Sequence, residues 1–547
     1  MASSVTDAFD VAAAGAAIPD RAPWRRVAAP DGARFWLSGY TTGATDESAA
    51  ASLAAAAGVG EDALAAWARE TLCLGAAVVE TAQGVAAVVD VVASVPLFLG
   101  RRDGAPSVAA RAQDLDRGAP DATALRQLAA AGFTIGARTQ DSGIAALLPG
   151  QIVRIPAGGA PSVGRWTRYL GAPDPARDPD DPAERTRHND LLLQLLERLA
   201  RDAAGRPIAI PLSAGFDSRA ILTGLKEVGA ENLFCFSYGL PGNHEAEGAR
   251  KVAARLGVSW QMVPYDHAGQ RAFFRSTTAA DFFAFADRPD AMPFMQDVPA
   301  LERLVAADRL PEDAILVNGQ SGDFIVGNHI PAALLDGHAS LERSFAAKHM
   351  AMWRRFRTEA FEGELAEWLD AELPEDRTLS PAAAYELLEF ESRQSKYVVA
   401  GQRAYEFFGR DWRLPLWEPD YVAFWRTAPL EAKRARRLFV EAMEAANWGG
   451  VWGPDWVFPR TVVPGWLRGP RLAAKLLAAP FGRARWHRLE KRVFDWWMDP
   501  VLNYAIKPYG EVVRDDRGFR NALALHGEAY LGRCGWSVDA AARGGAR

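Results

Sequence analysis

Apolar and polar positions change rhythm twice along this 547-residue chain. Up to about Leu170 the apolar residues fall in short runs with strand-like spacing. Examples are Arg34-Phe-Trp-Leu-Ser-Gly-Tyr40, Gly84-Val-Ala-Ala-Val-Val-Asp90, Ser94-Val-Pro-Leu-Phe-Leu99 and Gln151-Ile-Val-Arg-Ile155. A Pro- and Asp-rich stretch from Gly171 to Glu184 then breaks the pattern and predicts an extended linker. Beyond Asn189 the spacing turns helical over Leu191 to Leu199, and short apolar strands then alternate with amphipathic helices. The predicted order is strand Ile208 to Leu212, helix Arg219 to Val228 and strand Leu233 to Ser237. Helix Glu245 to Leu256 and strand Trp260 to Val263 follow. Such alternation predicts a parallel sheet covered on both faces, with ligands bound beyond the carboxyl ends of its strands. After about Pro331 the pattern is mainly helical. The expected organisation is a domain over 1–170, a linker over 171–185, an α/β core over 186–330 and a helical lobe over 331–547.

Composition narrows the class. Hydrophobic residues make up 49% and charged residues 24%, as in ordinary globular chains. A net charge of -6 gives no global attraction to nucleic acid or anionic lipid. Cys73, Cys235 and Cys534 are far apart, form no metal-spaced pair and suit a reducing cytoplasm. Met1 to Asp20 has no basic residue and no continuous apolar core, so no signal peptide is expected. The longest apolar run, Gly84 to Gly100, is interrupted by Asp90 and Pro96, so no transmembrane segment is expected either. The expected location is cytoplasmic. The histidines show no zinc-binding spacing.

Candidate chemistry appears where the first predicted parallel strand ends. Leu212, Ser213, Ala214, Gly215, Phe216, Asp217 and Ser218 join that strand to a helix. Small side chains let backbone N–H groups close around phosphate oxygens, the helix start adds a positive dipole end, and Asp217 could hold magnesium against the phosphates. The loop is not a Walker A loop, because no Gly-Lys-Ser/Thr follows. Further on, strand Ala314 to Val317 leads into Asn318-Gly-Gln-Ser-Gly-Asp323, which would bring a second carboxylate to the same sheet edge. Two carboxylates bridging a triphosphate through metal suit attack at the α-phosphate with pyrophosphate leaving. Taken alone, each segment also reads as an ordinary strand-to-helix turn or cap.

Together the motifs resemble the synthetase domain of the asparagine synthetase family, whose loop is a Ser-Gly-Gly-x-Asp-Ser sequence. Phe236-Ser-Tyr-Gly239 with the following helix, Asn318 to Asp323 at the family's Ser-Gly-Glu-Gly-x-Asp motif, and Leu414-Pro-Leu-Trp-Glu-Pro-Asp420 carry the resemblance over roughly Asn189 to Trp448. It implies an ATP pyrophosphatase (HUP-like) core with a helical C-terminal lobe, preceded by a glutaminase-like α/β sandwich. It further implies that Ser213, Gly215, Asp217 and Ser218 bind pyrophosphate and magnesium, and that Phe236 and Ser237 flank adenosine. Gly319 would approach the nucleotide through backbone, and Asp323 would be the second magnesium ligand. The family's late, charge-balancing lysine has three candidate positions, Arg436, Arg437 and Lys475. ATP and Mg2+ are the implied cofactors.

Two departures bear on function. Glutamine-using members begin Met-Cys-Gly, whereas this chain begins Met1-Ala-Ser-Ser4, so a glutaminase-like domain without glutaminase activity is expected. Ser94 to Leu99, Leu147 to Gln151 and a strand at Arg165 to Tyr169 read as remnants of that fold. Gln320 replaces a glutamate that faces the acyl-adenylate, and a glutamine cannot take a proton from an amine. The expected activity is an AMP-forming ligase that activates a small-molecule or sugar-linked carboxylate for attack by ammonia or an amine. Amidation of a sugar carboxylate in surface-polysaccharide synthesis is the narrower expectation. Intramolecular closure of a β-lactam or macrolactam, and a regulatory ATP-binding protein without turnover, are the alternatives. No nucleic-acid partner is expected, and a homodimer is admitted. The stretch Arg460 to Arg492 has nine cations opposed only by Glu490, with Trp466, Phe481 and Trp486 interleaved. It reads as a face for a phosphorylated substrate, an anionic membrane or RNA, or as a solvated basic helix surface.

Overall fold

The computed structural model describes residues 15–20, 22–29, 32–375, 378–458 and 462–544. The sequence features at Met1 to Ser4 and Arg460 lie outside the described residues.

The N-terminal region folds as two sheets. One is four-stranded, in the order Gly15–Ala17, Ala105–Ala109, Phe98–Arg102, Ala145–Ala146. The other is antiparallel and six-stranded, in the order Ser162–Arg165, Gln151–Pro156, Gly84–Val89, Leu72–Thr81, Arg34–Thr41, Arg25–Ala28. Strands Leu72–Thr81 and Arg34–Thr41 touch most closely at Gly39 and Gly75. A Cβ at Gly39 would lie 2.1 Å from the Leu74 carbonyl oxygen, at a φ of +97°, so this crossing requires glycine. Helices Asp46–Val59 and Glu61–Thr71 cover the large sheet through Leu53, Leu64 and Trp67.

Two details differ from the sequence reading. Ser94 to Leu97 is a loop fastened by Asp90, and the strand runs over Phe98–Arg102 instead. Only Arg165 of the expected strand Arg165 to Tyr169 is extended. Trp166 and Tyr169 act as buried anchors, with Trp166 Nε1 donating to Val89 O at 2.9 Å and Tyr169 stacked on Phe390 at 4.5 Å.

The central sheet is parallel and five-stranded, in the order Ser259–Pro264, Leu233–Gly239, Ile208–Pro211, Ile315–Val317, Asp411–Arg413. Ile208 is in register with Leu233 on one side and Ile315 on the other. From Ile208–Pro211 the chain winds out to one edge, then returns to build the other. The change of direction falls between Ile208–Pro211 and Ile315–Val317, where the loops after adjacent strands must diverge and leave a crevice. The fifth strand, Asp411–Arg413, comes from within the segment whose pattern reads as helical, because three residues are too few to show a period.

The Pro- and Asp-rich stretch is fastened down. Arg177 is buried, pairs with Glu184 at 2.5 Å and donates to Phe424 O at 2.6 Å, and Asp181 caps a helix that already begins at Pro182. The rest of the chain is mainly helical, including a π-helical turn over Phe390–Val398. That turn ties the N-terminal sheets to the core. Glu391 is gripped by Arg168 through two 2.9 Å bonds, and Lys396 Nζ donates to Thr134 O at 3.0 Å. Beside it, buried Lys433 pairs with Glu386 at 2.9 Å. The molecule is therefore mixed α/β, with antiparallel sheets, a central parallel sheet and a helical C-terminal region. No helix among the described residues is long and apolar enough to cross a membrane.

Candidate functional site

The loop after Ile208–Pro211 is organised by its own serines. Ser213 N–H donates to Ser218 Oγ at 3.1 Å, and Gly215 N–H donates to Ser213 Oγ at 3.1 Å. Helix Phe216–Glu227 starts from Gly215 without a side-chain cap, so its first-turn N–H groups have no intrahelical acceptor. Leu212 lies beneath, its N–H bonded to Phe236 O at 2.8 Å. Ala214 has no positive φ and touches the next helix, where a Cβ on Gly248 would come within 2.5 Å of its methyl.

The second loop is pressed against the first by two glycines. A Cβ on Gly319 would lie 2.8 Å from Ser218 N, and one on Gly322 would lie 2.7 Å from Asp217 Cγ. Between them Ser321 takes the left-handed conformation, φ 61°, which a non-glycine residue adopts at a cost of order 1 kcal/mol. Its hydroxyl is held by Gln394 Oε1 at 2.7 Å. The result is contact between the two carboxylate segments, with Asp323 N–H donating to Asp217 Oδ2 at 3.0 Å.

Asp217 Oδ1 is buried without a hydrogen-bond partner. Such an orphan is costly unless something fills its lone pairs. Burial, reinforced by the neighbouring Asp323 charge, pushes Asp217 up to about 7, while Arg436 works in the opposite direction. Asp323 behaves differently. Burial, the largest single influence, opposes its charge, but the hydrogen bond and charge of His329 together with the charge of Arg393 outweigh it and hold its pKa below the usual value. One oxygen of Asp323 accepts from His329 Nε2 at 3.1 Å. A magnesium ion needs hard oxygen ligands and keeps phosphate and water in its shell. The donor set fits that ion, with Asp217 Oδ1 and the remaining oxygen of Asp323 available to it.

Behind Asp323 runs a buried chain that sequence spacing did not reveal. His329 Nδ1 bonds Glu389, and Glu389 Oε2 meets His349 Nε2 at 3.1 Å, which also bonds Tyr385 OH at 2.7 Å. Burial opposes charge on His329, yet its bonds to Asp323 and Glu389 outweigh this and raise its pKa. Burial lowers His349 to about 4 and keeps it neutral. His329 stands only six residues after Asp323 and could have been suspected. Glu389 and His349 come from distant helices and left no such signal.

The remaining candidates separate. Phe236 is fully buried and stacked on Phe234, and Ser237 Oγ donates to Leu212 O at 2.6 Å while accepting from Trp260 Nε1. Both side chains are thus engaged within the fold. Gln320 is committed: its Nε2 donates to Val398 O at 2.6 Å, and its amide fills the space left by Gly401. Arg436 is at the loop, its guanidinium 4.8 Å from the Phe216 ring centre, and with Ala435 it forms two consecutive left-handed residues. Arg437 is bound to Asp180 and Glu441. Lys475 is exposed on helix Gly465–Ala478, and among the described residues no contact links it to Asp217.

Two more residues act on the loop without having been expected. Buried Arg219 braces it from behind, donating to Ala214 O at 2.7 Å and Val451 O at 3.2 Å, and burial lowers its pKa to about 10. Glu245 accepts the Ala214 N–H at 2.9 Å, placing a carboxylate where phosphate oxygens would be drawn.

Comparison with known proteins identifies the domain that carries both loops. Residues 191–445 match the family model described as asparagine synthase, and this span forms an asparagine synthase domain. That family uses ATP, which points to an ATP-dependent amide-forming ligase. No curated protein matches the chain significantly. Among solved structures, an NH3-dependent NAD synthetase from Campylobacter jejuni is 15% identical, over 37% of this chain and 91% of that one, with a TM-score of 0.21. An NMN synthetase from Francisella tularensis is 11% identical over 46% and 95%, with a TM-score of 0.20. A glutamine phosphoribosylpyrophosphate amidotransferase from B. subtilis is 12% identical over 54% and 63%, with a TM-score of 0.17.

Proposed function

We propose that the chain is an AMP-forming carbon–nitrogen ligase that activates a carboxylate as an acyl-adenylate for attack by ammonia or an amine. The observation that carries this reading is the orphaned, buried Oδ1 of Asp217 beside the loop of Asp323, at the switch point of a parallel sheet. Asp217 and Asp323 would hold magnesium there, and its charge would offset that of the triphosphate. The chain's own groups do the rest. Ser213, Gly215 and Ser218 shape the phosphate loop, the first-turn N–H groups of the helix receive the leaving pyrophosphate, and Arg436 balances its charge. His329, with Nε2 bonded to Asp323 and Nδ1 to Glu389, orients the Asp323 carboxylate.

A cavity of about 230 Å³ opens beside this chain, lined by His329, Lys348, Arg393 and Arg520 together with Met292 and Tyr397. Cations over a partly apolar floor suit an acid with an uncharged body, and a sugar carboxylate is the class we favour. Gln320 holds no proton-accepting group toward an amine, so the nucleophile would arrive already neutral. Cys73 is buried and its pKa is pushed well above the usual thiol value, which leaves it unsuited to releasing ammonia from glutamine.

The test is ATP–pyrophosphate exchange measured over a panel of sugar and amino-acid carboxylates. Exchange that appears with one acid and vanishes in Asp217→Asn supports the reading. Tight Mg-ATP binding without exchange from any acid would move it to a regulatory ATP-binding protein.

A further inference from the structure

Among the described residues, exposed large hydrophobic side chains gather on one helical hairpin near the C-terminus. Helices Gly465–Ala478 and Arg483–Val493 form a hairpin that turns at Gly482, where φ is 83°. Leu467, Ala478, Trp486 and Phe494 give the hairpin a small core of its own, and an Arg471–Glu490 ion pair ties its two helices together. Leu467, Arg471, Ala474 and Ala478 recur at intervals of three and four, so one stripe of the first helix faces inward.

The opposite face is apolar too, and its large side chains stay exposed among the described residues. Leu472 and Leu476 stand one turn apart at 58% and 66% exposure, and Trp466 and Leu477 flank them at 63% and 76%. Phe481 at the turn is 62% exposed, and Trp466 meets Trp497 edge-on at 5.6 Å. Arg468 and Lys475, two turns apart, run along one side of this stripe. Over residues 465–493 the cations are Arg468, Arg471, Lys475, Arg483, Arg485, Arg488, Lys491 and Arg492. The only acid is Glu490, already spent on Arg471.

A contiguous apolar face marks a contact surface, and cations along its margin select the partner. Leucines at 472, 476 and 477 contribute nothing to phosphate or base contacts, which argues against RNA. A twofold contact with a second copy would oppose two basic hairpins, and like charges brought together are repelled. An anionic bilayer satisfies both features. Apolar side chains enter the acyl boundary, indoles sit at headgroup depth, and Lys and Arg meet lipid phosphates.

We propose that this hairpin lies in the headgroup layer of an anionic membrane, apolar face down, and holds the nucleotide domain at the membrane surface. The helix lies on the bilayer and does not cross it. The overall charge of -6 is no obstacle, because the attraction is local and falls off within a Debye length.

The experiment is flotation of the full chain with vesicles of phosphatidylcholine, with and without phosphatidylglycerol. The wild type is expected to float with phosphatidylglycerol vesicles and to be released by high salt. The triple variant Leu472→Ser, Leu476→Ser, Leu477→Ser should bind at least about tenfold more weakly, with unchanged melting and Mg-ATP affinity. The charge variant Arg468→Gln, Lys475→Gln, Arg485→Gln should lose the preference for phosphatidylglycerol. Absence of wild-type flotation, or flotation that survives both variants, overturns the proposal. So does a concentration-dependent dimer in ultracentrifugation that the serine variant dissolves, which would make the face a self-interface.

Discussion

Replacing Gly319 by alanine tests whether the two carboxylate loops act as one binding surface. The added methyl would lie 2.8 Å from Ser218 N, 2.9 Å from Asp217 C and 3.1 Å from Ser218 Cα, all of them backbone atoms. Ordinary contact begins near 3.4 Å, so the loops must part by about 0.6 Å. That is enough to strain the 3.0 Å bond from Asp323 N–H to Asp217 Oδ2 and to shift one of the two carboxylates relative to the other. A misplacement of about 1 Å can cost about a hundredfold in rate, so turnover should fall about ten- to a hundredfold, and Mg-ATP affinity should fall with it. The overpacking itself should destabilise the fold by about 1–3 kcal/mol. Gly363→Ala is the control. It sits exposed within helix Glu359–Asp370 with nothing within 4 Å, and should gain about 1 kcal/mol without touching the nucleotide. Titration calorimetry with Mg-ATP and thermal unfolding on all three proteins separate affinity from stability. A folded Gly319→Ala protein that binds Mg-ATP as tightly as wild type would refute the joined-loop account.

Three further predictions follow from particular contacts. Glu245→Gln removes a negative charge from the Ala214 N–H while keeping an acceptor there, so Mg-ATP should bind several-fold more tightly, by calorimetry. Arg436→Met should lower turnover by about a hundred- to a thousandfold with little change in KM for ATP, because the charge it balances develops mainly as pyrophosphate leaves. His188 and His526 are buried, and burial lowers each from 6.5 to about 4. Below pH 6.5 the unfolded chain takes up protons that the folded one refuses, so stability falls as pH drops toward 4 and is level above about 7. Each should cost on the order of 2 kcal/mol at pH 5, measured by urea unfolding across the range. His188→Asn should lessen that dependence.

The sequence carried the central architecture well because its signals are local. Each strand of the parallel sheet up to Ile315–Val317 is a short, largely apolar run with a turn-forming Gly, Ser, Asp or Asn within three residues of its end, and all four lie within a residue or two of expectation. Asp217 and Asp323 were expected at one sheet edge because two small-residue loops, each with one acid, both follow apolar runs, although either loop alone reads as an ordinary turn. Three things were not legible. Asp411–Arg413 is too short to show a period, and only pairing with Ile315–Val317 makes it a strand. The chain from His329 through Glu389 to His349 joins residues from three separate segments, a juxtaposition created by tertiary packing. The fastening of Gly171 to Glu184 depends on Arg177 meeting Glu184 and Phe424 O, while composition spoke only of Pro and Asp. For the helical segment over 465–493, residue spacing identifies a cationic helix, and only the structure reveals which apolar face is left uncovered.

The central claim is that this chain splits ATP at the α-phosphate on behalf of a carboxylate. The most direct measurement separates the nucleotide products of Mg-ATP by chromatography, with ammonium present and a panel of carboxylates supplied in turn, for wild type and Asp217→Asn. The account predicts AMP and pyrophosphate in equal amounts, matched by amide, with one class of acid, and neither product in the variant. ADP and phosphate as products, or AMP release that persists in Asp217→Asn, would contradict it.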